Sequence, residues 1–133
     1  MLLSLIIRIL HTMLIIFMIV APFSKIAPIL ILHITSAWCL LVHWAANNDI
    51  CFLTLLEGQL RGVHYKKSFL HQFIAPVYNI SDKRISDICH GIVVTTMFIS
   101  FYNLLETDTF LRAKKCYVND GSIIECFKIM FTK

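Results

Sequence analysis

The chain has 133 residues, of which 58% are hydrophobic and only 15% charged, with a formal net charge of +4. Soluble domains run at about 45–50% and about 25%, and so short a chain cannot wrap this much apolar matter in a polar shell, which excludes a water-soluble globule. The cations are dispersed, and a nucleic-acid surface, which gathers basic residues with aromatics between them, is excluded as well.

The first apolar run, residues 2–23, is long enough to cross a hydrocarbon core of roughly 30 Å. No positive segment precedes Leu2–Ile7 and the run continues past Ala21, so it reads as a retained signal-anchor helix. Arg8 and His11 interrupt it. At 100° per residue Ser4, Arg8, His11 and Thr12 fall within about 100° of one another, a polar stripe that must face protein. A lipid-facing Arg would cost about 2.5–3.5 kcal/mol.

The short turn Ser24–Ala27 predicts an antiparallel hairpin into a second span, 27–46, with Pro28 in its first turn, where the missing N–H is no loss. His33, Ser36, Leu40, His43 and Asn47 share an arc of about 80°. Trp44 suits the membrane interface, and Asn47-Asn48-Asp49 marks the exit. The stretch 50–62 predicts a short amphipathic helix ending at Arg61-Gly62. Residues 68–80 form a second apolar piece, stopped by Pro76 and too short to span, so both belong to the interface.

A third span, 85–105, opens on Ser86-Asp87 as a cap signal, with Gly91 allowing close helix approach and Thr96, Ser100 and Asn103 forming a polar strip. Lys66/Lys67 and Lys83/Arg84 are flanking charges of membrane helices. Five cations on one side against six on the other set no orientation. In the tail, β-prone segments either side of Asn119-Asp120-Gly121 predict a hairpin. Its register sets Cys116 opposite Cys126, which allows a disulfide, and two reduced cysteines are the alternative. The fold class is therefore an all-α membrane protein: about three transmembrane helices, short interfacial helices and a small C-terminal β-hairpin. A bundle of residues 1–105 carries the interfacial loop 47–84, and 106–133 is an extramembrane tail.

Six histidines raise a haem b reading, which needs two imidazoles on facing helices at similar depth. His43 and His90 are the matched pair, whereas His11 and His33 differ by roughly 6 Å. No H-x-x-x-H or C-x-x-C spacing occurs, so no metal site is expected. Cys39, Cys51 and Cys89 read as packing residues. Cys89 beside His90 points about 100° away and does not form a catalytic pair. Arg8, about 9 Å inside the first span, calls for a carboxylate, and Glu57 and Asp87 are the candidates. Glu57 also stands four residues before Arg61, in the favourable orientation for a helix pair.

His43-Trp44, Asn47-Asn48-Asp49-x-Cys51-x-Leu53-Thr54-x-Leu56-Glu57, Leu60-Arg61, Phe69 and Pro76-x-Tyr78 together resemble a family of small uncharacterised polytopic membrane proteins. Members occur in large DNA viruses and, more distantly, in bacteria, where the motif is Cys-Pro-Leu-Thr-x-Leu-Glu. Phe52 stands here in place of that Pro, which favours the viral relatives. The likeness covers residues 33–80. The family has no established activity to carry over, and no cofactor is expected. The likeness implies a multi-span protein of a virion internal membrane, in contact with the bilayer and with other membrane or capsid proteins. The expected role is structural or assembly-type and non-enzymatic, with haem as the alternative.

Overall fold

A computed structural model describes residues 2–62, 81–120 and 122–131. The second apolar piece, 68–80, and the Lys66/Lys67 cluster lie outside the described residues.

Three described helices are long and apolar enough to cross a membrane: Leu2–Phe23, Ala27–Ala46 and Lys83–Leu105. The first is helix α1 (Leu2–Val20) tightened into a 3₁₀ turn at Ala21–Phe23, with Pro22 in that turn's opening position. The Pro22 carbonyl, stripped of a helical partner, accepts from Asn103 Nδ2 at 2.8 Å, which satisfies the end of the first span from the third. Helix α2 (Ala27–Ala46) starts with Pro28 in its first turn. Asn47 closes it, donating from Nδ2 to the His43 carbonyl at 2.9 Å. Asn48 and Asp49 then turn the chain with φ of 50° and 64°, the left-handed region that Asn and Asp tolerate.

Helix α3 (Phe52–Arg61) ends at Gly62, whose φ of 65° is the left-handed cap geometry that glycine meets without a Cβ penalty. Helix α4 (Asp82–Leu105) starts earlier than the sequence predicted. Ser86 and Asp87 lie inside it and do not cap it, because the charged turn Lys83-Arg84 carries the helix on beyond the apolar segment.

Helices α2 and α4 make the most extensive packing in the molecule, and α3 lies against α1. Met18, Ala37 and Val93 form a buried cluster joining the three spans, with Phe17, Leu40 and Trp44 around it. Trp44, in the last turn of α2, packs inward, its ring 4.7 Å from that of His90. Gly91 is exposed, and a Cβ there would meet nothing within 4 Å; the close face of α4 is instead Val93, Thr96 and Ser100.

The polar strips of the spans meet at one node. Ser100 lies 2.8 Å from His33 Nδ1, and His33 Nε2 lies 3.1 Å from the Met18 carbonyl, all buried. A carbonyl only accepts, so Nε2 carries the proton and Nδ1 takes the Ser100 hydroxyl. One imidazole thereby ties α1, α2 and α4 together.

The tail overturns the hairpin. No strand occurs among the described residues; the tail is α5 (Asp108–Asp120) followed by α6 (Ile123–Lys128). Thr107 starts α5, its Oγ1 accepting from the Phe110 N–H at 3.3 Å. Phe110 and Ala113 then recur at helical spacing against Ala27, Leu30, Leu104 and Met130. That packing decides for helix over the β propensity of Tyr117-Val118 and Ile123-Ile124. Cys116 and Cys126 are joined by a disulfide, Cα to Cα 5.5 Å, linking the two short helices.

Candidate functional site

The reactive residue types gather where α1 begins, α2 ends and α3 folds back. Glu57 is the centre. Its Oε1 accepts from Arg8 Nε at 2.7 Å and from Arg61 Nη1 at 3.1 Å, with Ser4 Oγ at 3.4 Å. The Glu57 side chain is 1% exposed, while Arg8 and Arg61 keep 38% and 43% of theirs exposed. Burial pulls the Glu57 carboxyl upward. The hydrogen bonds and charges of the two arginines outweigh it and hold the group below its ordinary 4.5.

Glu57 is therefore a shared counter-ion. It offsets the cost of placing Arg8 in a span, and it presses α3 onto α1. A general acid would need the opposite displacement. The remaining candidate for Arg8, Asp87, lies exposed on α4. Arg61 joins from one turn further along α3, so the one carboxylate unites the two pairings the sequence offered separately.

Beside the clamp runs a groove of about 660 Å³, lined among the described residues by Leu3, Ser4, Leu5, Arg8, Leu60 and Arg61. Neither the groove nor its apolar wall was read from the sequence. The signal available was the polar stripe Ser4-Arg8 together with Leu60-Arg61 at the end of a short helix.

The histidines fall into two settings. Asn47 Nδ2 lies 3.1 Å from His43 Nδ1, whose ring packs edge-on to Phe52. His43 Nε2 is buried with no hydrogen-bond partner among the described residues. His90 Nδ1 lies 3.0 Å from the Ser86 carbonyl, and its Nε2 lies 3.5 Å from Asp49 Oδ1, an ion pair when the ring is protonated. With the Trp44 indole against its ring, His90 is engaged at both nitrogens and on one face. A bis-His haem needs a free nitrogen on each of two imidazoles facing one gap; in this pair His90 has contacts at both nitrogens and His43 Nε2 is buried.

The Asp49–His90 contact was not anticipated. It follows from the left-handed turn at Asn48-Asp49, which folds Asp49 back to α4. Thr54 is fully buried, and its hydroxyl, like the Trp44 N–H, has no hydrogen-bond partner among the described residues. Burial pushes the Cys51 thiol up from its ordinary value, away from the thiolate a nucleophile requires. Among the described residues no group of three or more His, Cys, Asp or Glu side chains is placed to hold a metal ion.

No protein-family model, curated protein or solved structure matches this chain.

Proposed function

We propose that the protein is a structural or assembly-type integral membrane protein, non-enzymatic, in which the three-span bundle anchors a rigid tail that meets a protein partner at the membrane surface. The observation that carries this reading is the tail. Val118, Ile123 and Ile124 are 74%, 69% and 75% exposed on two short helices clamped by the Cys116–Cys126 disulfide. Those helices are seated on the bundle through Ala113 and Met130. Apolar residues held this rigidly lose little further entropy on binding, which favours association. A site built around Glu57 as a counter-ion offers no acid, base or nucleophile poised for chemistry.

The partner class follows from the likeness of residues 33–80 to small viral membrane proteins. It is a capsid or other membrane protein of a virion internal membrane, and this part rests on analogy. The test is purification of the full chain from its native membrane, as wild type and as Ile124→Lys. A stoichiometric capsid or membrane partner that is present with wild type and lost with the variant supports the reading. Identical preparations from both overturn it. A Soret band abolished by His43→Ala would move the assignment to a haem protein, the alternative that the buried His43 Nε2, without a hydrogen-bond partner among the described residues, supports.

A further inference from the structure

The bundle has two chemically different ends. At one, Glu57 of α3 holds Arg8 of α1, and Asp49, in the turn after α2, meets His90 of α4. At the other, Asn103 of α4 closes the first span at Pro22, and Leu104 packs in one cluster with Ala27, Ala113 and Met130. Helix α4 runs between them and is long and apolar enough to cross a membrane. Given that crossing, the turn after α2 and the tail lie on opposite faces of the bilayer.

The five cysteines are distributed unevenly along this axis. Cys116 and Cys126 are joined in the tail, Cys39 lies within a span, and Cys51 and Cys89, towards the other end, are thiols. Among the described residues of the tail only Ala113, Cys126 and Met130 are buried apolar side chains. A unit this small does not hold itself together by a core of its own, and a disulfide is the usual staple. Such a staple persists where the surroundings are oxidising, whereas cytosolic thiol pools keep cysteines reduced. Its formation balances as an exchange. Two tail thiols and the disulfide of a resident oxidoreductase give the Cys116–Cys126 disulfide and two oxidoreductase thiols.

The cations agree in sign. Within about 20 residues of a span end, the distance over which cytosolic positive charge acts, Arg61, Lys66, Lys67, Lys83 and Arg84 belong to one face. Lys25, Arg112, Lys114 and Lys115 belong to the face of the tail, and Lys128 and Lys133 lie further off.

We propose that the tail faces an oxidising, extracytosolic compartment and that the end bearing Glu57, His90 and Cys51 faces the reducing cytosol. The exposed face around Ile124 is then presented outside the cytosol, and that compartment is where its partner must be found. The orientation rests on α4 crossing the membrane and not on the tail having a partner. If it fails, the partner reading stands with the partner on the other face.

The test uses the full chain in sealed microsomal vesicles, whose outer surface is the cytosolic one, and a membrane-impermeant maleimide polymer that adds mass at each thiol it reaches. Ser81→Cys puts a thiol at an exposed position just before α4. Cys126→Ser leaves Cys116 as the one thiol of the tail, and a tail loosened by this change still stays on its own side of the bilayer. Relative to wild type, Ser81→Cys gains one adduct in sealed vesicles, and Cys126→Ser gains one only after detergent opens them. Wild type whose thiols are blocked with N-ethylmaleimide in detergent releases two further thiols on reduction. An adduct on Cys116 in sealed vesicles overturns the proposal. So does a Ser81→Cys adduct that needs detergent, or a wild type that releases no thiol on reduction.

Discussion

Replacing Glu57 by glutamine keeps the shape of the side chain and removes the one charge that Arg8 and Arg61 share. Breaking a fully buried ion pair costs about 3–5 kcal/mol. Here the carboxylate is buried but the two guanidinium side chains keep 38% and 43% of their exposure, so water takes up part of the loss. The remaining amide oxygen still accepts one hydrogen bond, which reduces the expected cost to about 2–3 kcal/mol. That is roughly a 30- to 150-fold change in the folded-to-unfolded ratio. The assay is unfolding in mixed micelles by titrated dodecyl sulfate, followed by far-ultraviolet circular dichroism.

The pH dependence carries a sign. The folded Glu57 carboxyl lies below its ordinary 4.5, so its contribution is complete above that value and lost as pH falls through the folded pKa. The gap between wild type and Glu57→Gln should be full at pH 7 and close below pH 4.5. The Glu57 charge also acts on the buried His11 of α1. A variant as stable as wild type at pH 7, or a gap that persists unchanged in acid, would refute the shared counter-ion. Asp87→Leu, at an exposed position, should stay within about 0.5 kcal/mol in the same titration.

Ser100→Ala should cost about 0.6–1.7 kcal/mol, the range for one interhelical hydrogen bond in a membrane bundle; no loss in the same unfolding titration would remove His33 as the joint of the three spans. Gly91→Ala, with open space around the added methyl, should stabilise α4 by about 0.5–1 kcal/mol, and a destabilised variant would restore Gly91 to a helix contact. Cys126→Ser opens the loop closed by a disulfide with a sequence separation of 10. It should cost the tail about 3 kcal/mol, read as faster proteolytic cleavage between residues 106 and 131 with the bundle intact.

The spans were legible because length and hydropathy alone decide them; the first two bounds coincide with the structure. The partner of Arg8 was legible for a related reason, since a charge in a span calls for an opposite charge at its own depth. Two carboxylates met that condition on the sequence, and only the return of α3 along α1 separates Glu57 from Asp87. The tail was not legible. Asn119-Asp120-Gly121 between β-prone segments is a strong local signal, and it was outweighed by packing of Phe110 and Ala113 in one cluster with Ala27 and Leu30, far earlier in the chain. Asp49 with His90 and Ser100 with His33 were hidden because each depends on which faces of two helices meet. A polar arc gives a direction on its own helix and leaves the opposing residue open.

The pairing of Arg8 with Glu57 also has a history in time. The two residues are 49 positions apart, and synthesis proceeds at about 5–20 residues per second. Arg8 is therefore made roughly 2–10 s before its counter-ion. Over that interval the first helix, long and apolar enough to cross a membrane, carries the arginine without its counter-ion, and the flexible stem can carry the charge towards a polar border. The clamp closes only after α2 has been made and α3 has folded back onto α1. Formation of the ion pair thus waits on the arrival of α3 at α1.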